Sequence, residues 1–211
     1  MSASSGVAKV GLCASDRGAS AVEFALIFPL LVLLTFGILE FGFILYQMNM
    51  MEKATQLGAR AAVTGDPVAP GLSAYTAQAT GLAPGSPLPA GLQAEIVCMN
   101  ASPCTATGAI TSPGYSAAAF TTIVTEMQRM YPGIGPENVV VTYRHVGLGF
   151  VGRPGGAIVP AVTVSLRDMT YDFIIMDAII ELFGPPAMNV ADILYPSFNA
   201  TLTGEDLNDG V

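Results

Sequence analysis

Residues 17–63 read RGASAVEFALIFPLLVLLTFGILEFGFILYQMNMMEKATQLGARAAV, and the rest of the chain is arranged around them. Between Phe24 and Tyr46 the only charged residue is Glu40. As a helix this apolar run rises about 34 Å, enough to cross a hydrocarbon core of roughly 30 Å. Pro29 removes a backbone donor inside the run and is expected to kink it, which membrane helices tolerate. Glu40, near the far end, is an ionisable group in an apolar helix; such groups usually have a partner, unless this one simply reaches the interface as Tyr46 does. Gly37 and Gly42 flank it with a surface for close approach, at a spacing that is not GxxxG.

From Gln47 to Val63 the sequence stays helix-compatible but becomes amphipathic. Met48, Met51, Ala54, Gly58 and Ala61 or Ala62 form one stripe, with Gln47, Glu52, Lys53, Gln56 and Arg60 around it. Gly65-Asp66-Pro67 is expected to end the helix, with glycine at the cap and proline shortly beyond. The spine then measures about 45 residues and about 65 Å. Its small-residue stripe is expected to lie under a sheet of the domain that follows.

Ahead of the run stands Arg17-Gly18-Ala19-Ser20-Ala21-Val22-Glu23-Phe24, continued by Ala25-Leu26, Pro29-Leu30-Leu31, Gly37 and Glu40-Phe41-Gly42. This pattern resembles the N-terminal segment of TadE-like proteins, pseudopilins of the tight-adherence (Tad) pilus system, over Arg17 to Ala62. Residues 1–18 are polar and small, with Lys9 and Arg17 as their cations. They lack the apolar core that precedes the cleavage site of a secretory signal peptide. The resemblance implies a prepilin-type leader instead, cut by a prepilin peptidase between Gly18 and Ala19, with Cys13 leaving in the leader. It further implies subunit contacts through Glu23, Phe24 and Glu40, in which Glu23 pairs with the new α-ammonium of a neighbouring subunit's Ala19. Such a pair attracts strongly in a medium of low dielectric, where either charge alone is costly. Ser20 to Glu23 also fits a capping box suited to the helix dipole, and the two roles are compatible.

The 211 residues leave about one ordinary domain after a leader and a spine. Eight basic residues against 16 acidic ones give a net charge of −8, and no basic cluster exists, so nucleic acid is not an expected partner. Hydrophobic residues make up 52% of the chain and charged ones 11%, an excess to which the membrane run contributes. Cation counts leave the orientation tied, with Lys9 and Arg17 before the run and Lys53 and Arg60 after it. Cys98 and Cys104, an even pair beyond the membrane helix, suggest a disulfide in an oxidising compartment. A loop this small adds about 2 kcal/mol by chain entropy. A metal site there lacks nearby ligands.

Prolines break up 66–89, although Leu72 to Gln78 could make two helical turns. Gln93 to Met99 reads as a strand. Phe120, Ile123, Val124, Met127 and Met130 recur at helical spacing over Ser116 to Met130, and Tyr131-Pro132-Gly133 stops that helix. Asn138 to Val146 is a strand rich in β-branched residues. After it, Gly147-Leu148-Gly149-Phe150-Val151-Gly152 matches GxGxxG, with Asp172 twenty residues on. A dinucleotide site needs a helix to start there, and Arg153-Pro154-Gly155-Gly156 with a further β-type run excludes it; the glycines fit a hairpin connection. Within Ala157 to Phe173 the apolar residues change parity near Arg167-Asp168, as a β-bulge would produce. Ile174 to Phe183 is a short amphipathic helix, too short and too charged to span. Tyr195 to Thr203 closes the sheet, and Gly204 to Val211 is an acidic tail.

No catalytic constellation emerges. The single histidine, His145, reads as a half-exposed strand residue, and GxSxG, P-loop and HExxH patterns are absent. The expected fold is α+β: a leader (1–18), a transmembrane and spine helix (19–65), and an extracytoplasmic domain (66–211) with a small antiparallel sheet and short helices. The resemblance implies a minor pilin without enzymatic activity or cofactor, bound to the lipid bilayer, a prepilin peptidase, other pilin subunits and the assembly machinery. Its location would be the bacterial inner membrane, single-pass with the domain periplasmic, or the pilus itself. The alternatives are an uncleaved, signal-anchored binding or enzymatic domain, and a component that stays in the inner-membrane platform.

Overall fold

A computed structural model describes residues 16–72, 81–89, 93–100, 103–108, 111–152, 159–183 and 192–204. Helix α1 runs from Asp16 to Thr64, 49 residues, and remains helical through Pro29. At its C-terminal end the Gly65 N–H donates to the Ala61 carbonyl (3.1 Å). Gly65 is not among the glycines of positive φ, so the helix ends by one more helical bond and not by a left-handed cap. By their contacts the residues form two units. One holds the chain up to Gly42 together with Ile174–Asn189; the other holds Phe43–Phe173 and Val190–Val211.

The second unit is built on a five-stranded antiparallel sheet of order β2-β1-β3-β4-β7. Its strands are β1 (Gln93–Met99), β2 (Thr105–Gly108), β3 (Val139–His145), β4 (Pro160–Leu166) and β7 (Phe198–Thr203). Register sets Ile96 beside Tyr143 and Tyr143 beside Val162, and Cys98 beside Val141 and Val141 beside Val164. These residues form the inner face, all buried, as alternate positions of half-covered strands must be. The other face is polar, with an exposed Arg144–Glu95 ion pair at 3.3 Å and a Thr163–Thr201 hydroxyl contact at 2.8 Å. Cys98 and Cys104 form the expected disulfide, closing the β1–β2 hairpin.

Helix α2 (Ala117–Gln128) matches the helical spacing read above, two residues shorter at its end. The Ser116 side chain accepts from the Ala119 N–H, an N-cap, while Phe120, Ile123, Val124 and Met127 turn inward. The stripe on α1 is indeed buried at Met51, Ala54, Gly58 and Ala62, with Thr55 and Ala59 added. Its cover is shared between α2 and the sheet: a Cβ on Gly58 would stand 2.7 Å from Met127 Cγ and Sδ and 3.3 Å from Val164 Cγ1.

The change of parity near Arg167 has a different cause from the one expected. No bulge restores the strand there. Asp168 takes a positive φ of 56°, and the chain leaves the large sheet to form β5 (Thr170–Tyr171), which pairs with β6 (Ile193–Leu194) in a separate two-stranded sheet. Asn138 holds this corner, its Nδ2 donating to the carbonyls of Arg167 (3.1 Å) and Asp168 (3.2 Å). Leu166 and Tyr171 can therefore both be buried from opposite parities. A register shift does occur elsewhere, in β1 between Gln93 and Glu95. The short helix after β5, α3 (Ile175–Phe183), forms as expected. Of the two turns expected at 72–78, a 3₁₀ turn at Pro70–Leu72 is seen and residues 73–80 lie outside the described residues, as do most of the leader and the acidic tail.

Two contacts generate predictions. Valine at Gly58 is expected to cost about 1 to 3 kcal/mol by overpacking, read as a lower thermal midpoint of the detergent-solubilised chain in near-ultraviolet circular dichroism. An unchanged midpoint would mean that α1 is not held at this distance. The second concerns Tyr143, fully buried, whose hydroxyl accepts from the Val68 N–H at 2.9 Å. Burial, offset in part by that bond, pushes its pKa up to about 12. The folded state thus keeps a proton that the unfolded chain releases near pH 10. The corresponding stability is complete below about pH 10 and is lost as pH rises toward 12. Tyr143→Phe should lower stability at neutral pH by about 1 to 3 kcal/mol, the cost of an orphaned N–H, and should flatten the alkaline loss. Some loss would remain, because burial raises Tyr195 in the same direction.

Candidate functional site

The first half of α1 is clothed in exposed apolar side chains. Val22, Phe24, Leu26, Ile27, Leu30, Leu33, Phe36, Ile38, Phe41 and Tyr46 are all exposed, and successive members point to different sides of the helix. A patch of this size, continuous around a helix, has no stable place in water; it is the surface that hydrocarbon covers. The polar groups within it are satisfied locally. Thr35 Oγ1 donates to the carbonyls of Leu31 and Val32, both at 2.9 Å, which is how a hydroxyl is accommodated in lipid. Among the described residues α1 is the one helix long and apolar enough to cross a membrane, which suggests a single-pass membrane protein.

Of the residues expected at the processing and assembly end, Gly18, Glu23 and Phe24 are exposed on α1. The Phe24 ring lies 5.4 Å from that of Phe28, one turn on. Because α1 begins at Asp16, Ser20 falls in its second turn and not at its start. The capping box read from Ser20 to Glu23 therefore does not operate in the full-length chain: the N–H groups it would serve already have carbonyls a turn ahead. Among the described residues Glu23 makes no ion pair.

Glu40 is placed differently. It is 2% exposed, and its carboxylate receives the first turn of α3. Oε1 accepts from the N–H groups of Ile174 (2.7 Å) and Ile175 (3.2 Å), and Oε2 from Met176 (2.8 Å). A negative charge on three N–H groups at a helix start is favoured twice, by charge-assisted hydrogen bonding and by the helix dipole. A lone acid in an apolar run signals a partner; backbone N–H groups as that partner carry no sequence signature.

Beyond the apolar run, Gln47 is the first polar side chain of α1, and its Oε1 accepts from two hydroxyls, Tyr131 (3.2 Å) and Tyr195 (3.0 Å). Neither contact was legible in the sequence. His145 corrects its expectation: it is 5% exposed, not half-exposed. Val139, Val141, Tyr143 and His145 share one parity of β3, and this alternation was the signal that places the imidazole inward. Its ring nitrogens meet no hydrogen-bond partner among the described residues, and burial, opposed by the nearby backbone of Leu88 and Pro89, holds its pKa below the usual histidine range. It is a neutral core residue beside Pro160. An open groove of about 610 Å³ between the C-terminal half of α1 and β7 is lined by Glu52, Gln56, Arg60, Asn199 and Thr201 among others. Its lining brings together no nucleophile with a base.

No curated protein and no solved structure matches this chain. Residues 18–60, from the expected processing glycine to the small-residue stripe, match the model of the TadE-like protein family.

Proposed function

We propose that the chain is a pseudopilin that enters or initiates a Tad-type pilus once a prepilin peptidase has removed residues 1–18. The observation that carries this reading is the uncovered apolar surface of α1 directly behind an exposed Gly18 and Glu23. Cutting between Gly18 and Ala19 makes Ala19 to Glu23 the first turn of the helix and gives Ala19 an α-ammonium. Glu23 then pairs with that ammonium on the adjacent subunit, Phe24 packs beside it, and the lipid-facing side chains exchange hydrocarbon for neighbouring spines. Glu40 contributes through α3, which it holds. Residues 19–65 form the anchor and spine, and 66–211 the extracytoplasmic part, on the periplasmic side of a bacterial inner membrane or on the fibre. The Cys98–Cys104 bond is consistent with that oxidising side. No step of this work is enzymatic.

Two measurements test the proposal. Mass spectrometry of the protein from its native host should find a mature chain beginning at Ala19; a chain retaining residues 1–18 would overturn the pilin route in favour of an uncleaved anchor. Glu23→Ala with Gly18 intact should leave the protein processed and stable while sheared-pilus yield falls to background. Undiminished piliation would remove the pairing role.

A further inference from the structure

The buried imidazole of His145 has no part in the reading above. It ends β3 on the inner face, two residues beyond Tyr143, and its ring nitrogens find no hydrogen-bond partner among the described residues. Two pieces of chain meet at this end of the sheet. One is 85–89, whose Leu88 and Pro89 bring their backbone near the ring; the other is 146–152, which continues directly from β3. Among the described residues three backbone hydrogen bonds join them. The Gly85 N–H donates to the Val151 carbonyl (2.8 Å), the Val151 N–H to the Ser86 carbonyl (3.0 Å), and the Leu88 N–H to the Gly149 carbonyl (3.2 Å), with Pro87 and Phe150 as direct partners between them. Leu88 and Val151 are buried, while Val146, Leu148 and Phe150 are exposed.

We infer that these two pieces form a strap that acid releases: protonation of His145 parts 85–88 from 149–151 and adds Leu88 and Val151 to the apolar surface of Val146, Leu148 and Phe150. The reason is that an imidazolium there has no counter-charge. Residues 81–89 and 146–152 contain no ionisable side chain, and Val159 and Pro160 beside them add none. Arg144 and Glu95 occupy the opposite face of the sheet and pair with each other. Tyr143, on the same face, keeps its proton up to about pH 12 and bonds Val68, and Asp66 near by is exposed. The flanking sequences 90–94 and 153–158 hold one charge, Arg153, itself a cation. A buried cation so placed is costly, and the cost vanishes once the strap lifts and water reaches the ring. A strap held by few hydrogen bonds opens at a lower cost than the sheet unfolds. Burial, opposed by the backbone of Leu88 and Pro89, keeps the closed-state imidazole below the usual histidine range. The open form takes up its proton near pH 6.5, so the strap is fully stable above that pH and loses stability as pH falls below it.

The inference is independent of the membrane and pilin readings. The chain has one histidine, so its ring resonances identify themselves. In nuclear magnetic resonance of the full-length protein in detergent micelles, from about pH 7.5 to about pH 4.5, the imidazole should titrate with a midpoint below about 6.5. Over the same range the exchange protection of the Gly85, Leu88 and Val151 amides, corrected for intrinsic rates, should fall by up to about tenfold per pH unit. The amides of Val124 in α2 and Val164 in β4 should stay protected. His145→Phe should keep the strap closed and remove the pH dependence. A midpoint at or above 6.5, strap protection that does not change with pH, or an unchanged pH dependence in His145→Phe would each overturn the inference. Simultaneous loss of protection at Val124 and Val164 would overturn it too, by showing that acid unfolds the whole domain. Should His145→Phe fail to fold, the titration and exchange profile of the unsubstituted protein decide alone.

Discussion

One unbroken helix must satisfy two solvents, and the close approach at Gly58 makes this possible. Up to Tyr46 the α1 surface suits hydrocarbon and carries bulky side chains on every side. Beyond it, the same helix must lie against a protein core, and bulky side chains would hold that core away. Gly58 has no Cβ to meet Met127 and Val164, while Ala54, Ala59 and Ala62 keep the rest of the stripe low. The helix thus approaches α2 and β4 together, and the inner face of the sheet closes over it. The order β2-β1-β3-β4-β7, with β3 and β4 central, lets Val141, Tyr143, Val162 and Val164 supply that cover.

At the changeover sits Gln47. A side-chain amide at the first polar position after the apolar run, accepting from Tyr131 and Tyr195, fixes the rotation of α1 against its domain. The two hydroxyls come from distant parts of the chain, one just past α2 and one just past β6. Tyr195 also stacks edgewise on Tyr171 at 6.2 Å, so the small sheet shares the same anchor. Packing alone leaves a smooth small-residue stripe free to slide by a turn; directional hydrogen bonds at its end do not.

Features whose information is local were legible in the sequence. The membrane run, the ends of β1, the spacing that forms α2 and the disulfide each follow from periodicity, propensity or loop length over a few residues. Features decided by distant partners were not. The parity change at Arg167 was visible, but a bulge and a switch between sheets leave the same alternation, and only the Asn138 side chain, thirty residues away, selects the second. His145 is buried although its residue type is only intermediate in burial. Its strand alternation points inward, and burial among Leu88, Pro89 and Pro160 simply keeps the ring neutral. Glu40 announced that it needed a partner, yet the backbone that serves it belongs to no recognisable pattern.

Glu23 and Glu40, on the lipid-facing half of α1, differ in a way that bears on the proposed passage from lipid to fibre. Glu40 carries its hydrogen-bond donors in its own chain, so the group stays satisfied wherever the helix goes, provided α3 goes with it. Extraction from the bilayer therefore leaves that carboxylate's environment nearly unchanged. Glu23 has no such companion among the described residues and stands exposed close to the N-terminal end. Its charge is tolerable at the membrane edge and becomes costly when spines pack side by side, unless a cation arrives with the neighbour. Under the proposed pilin role this asymmetry favours Glu23 over Glu40 as the residue that meets a neighbouring subunit: an acid whose oxygens are already hydrogen-bonded within its own chain gains little from a new partner.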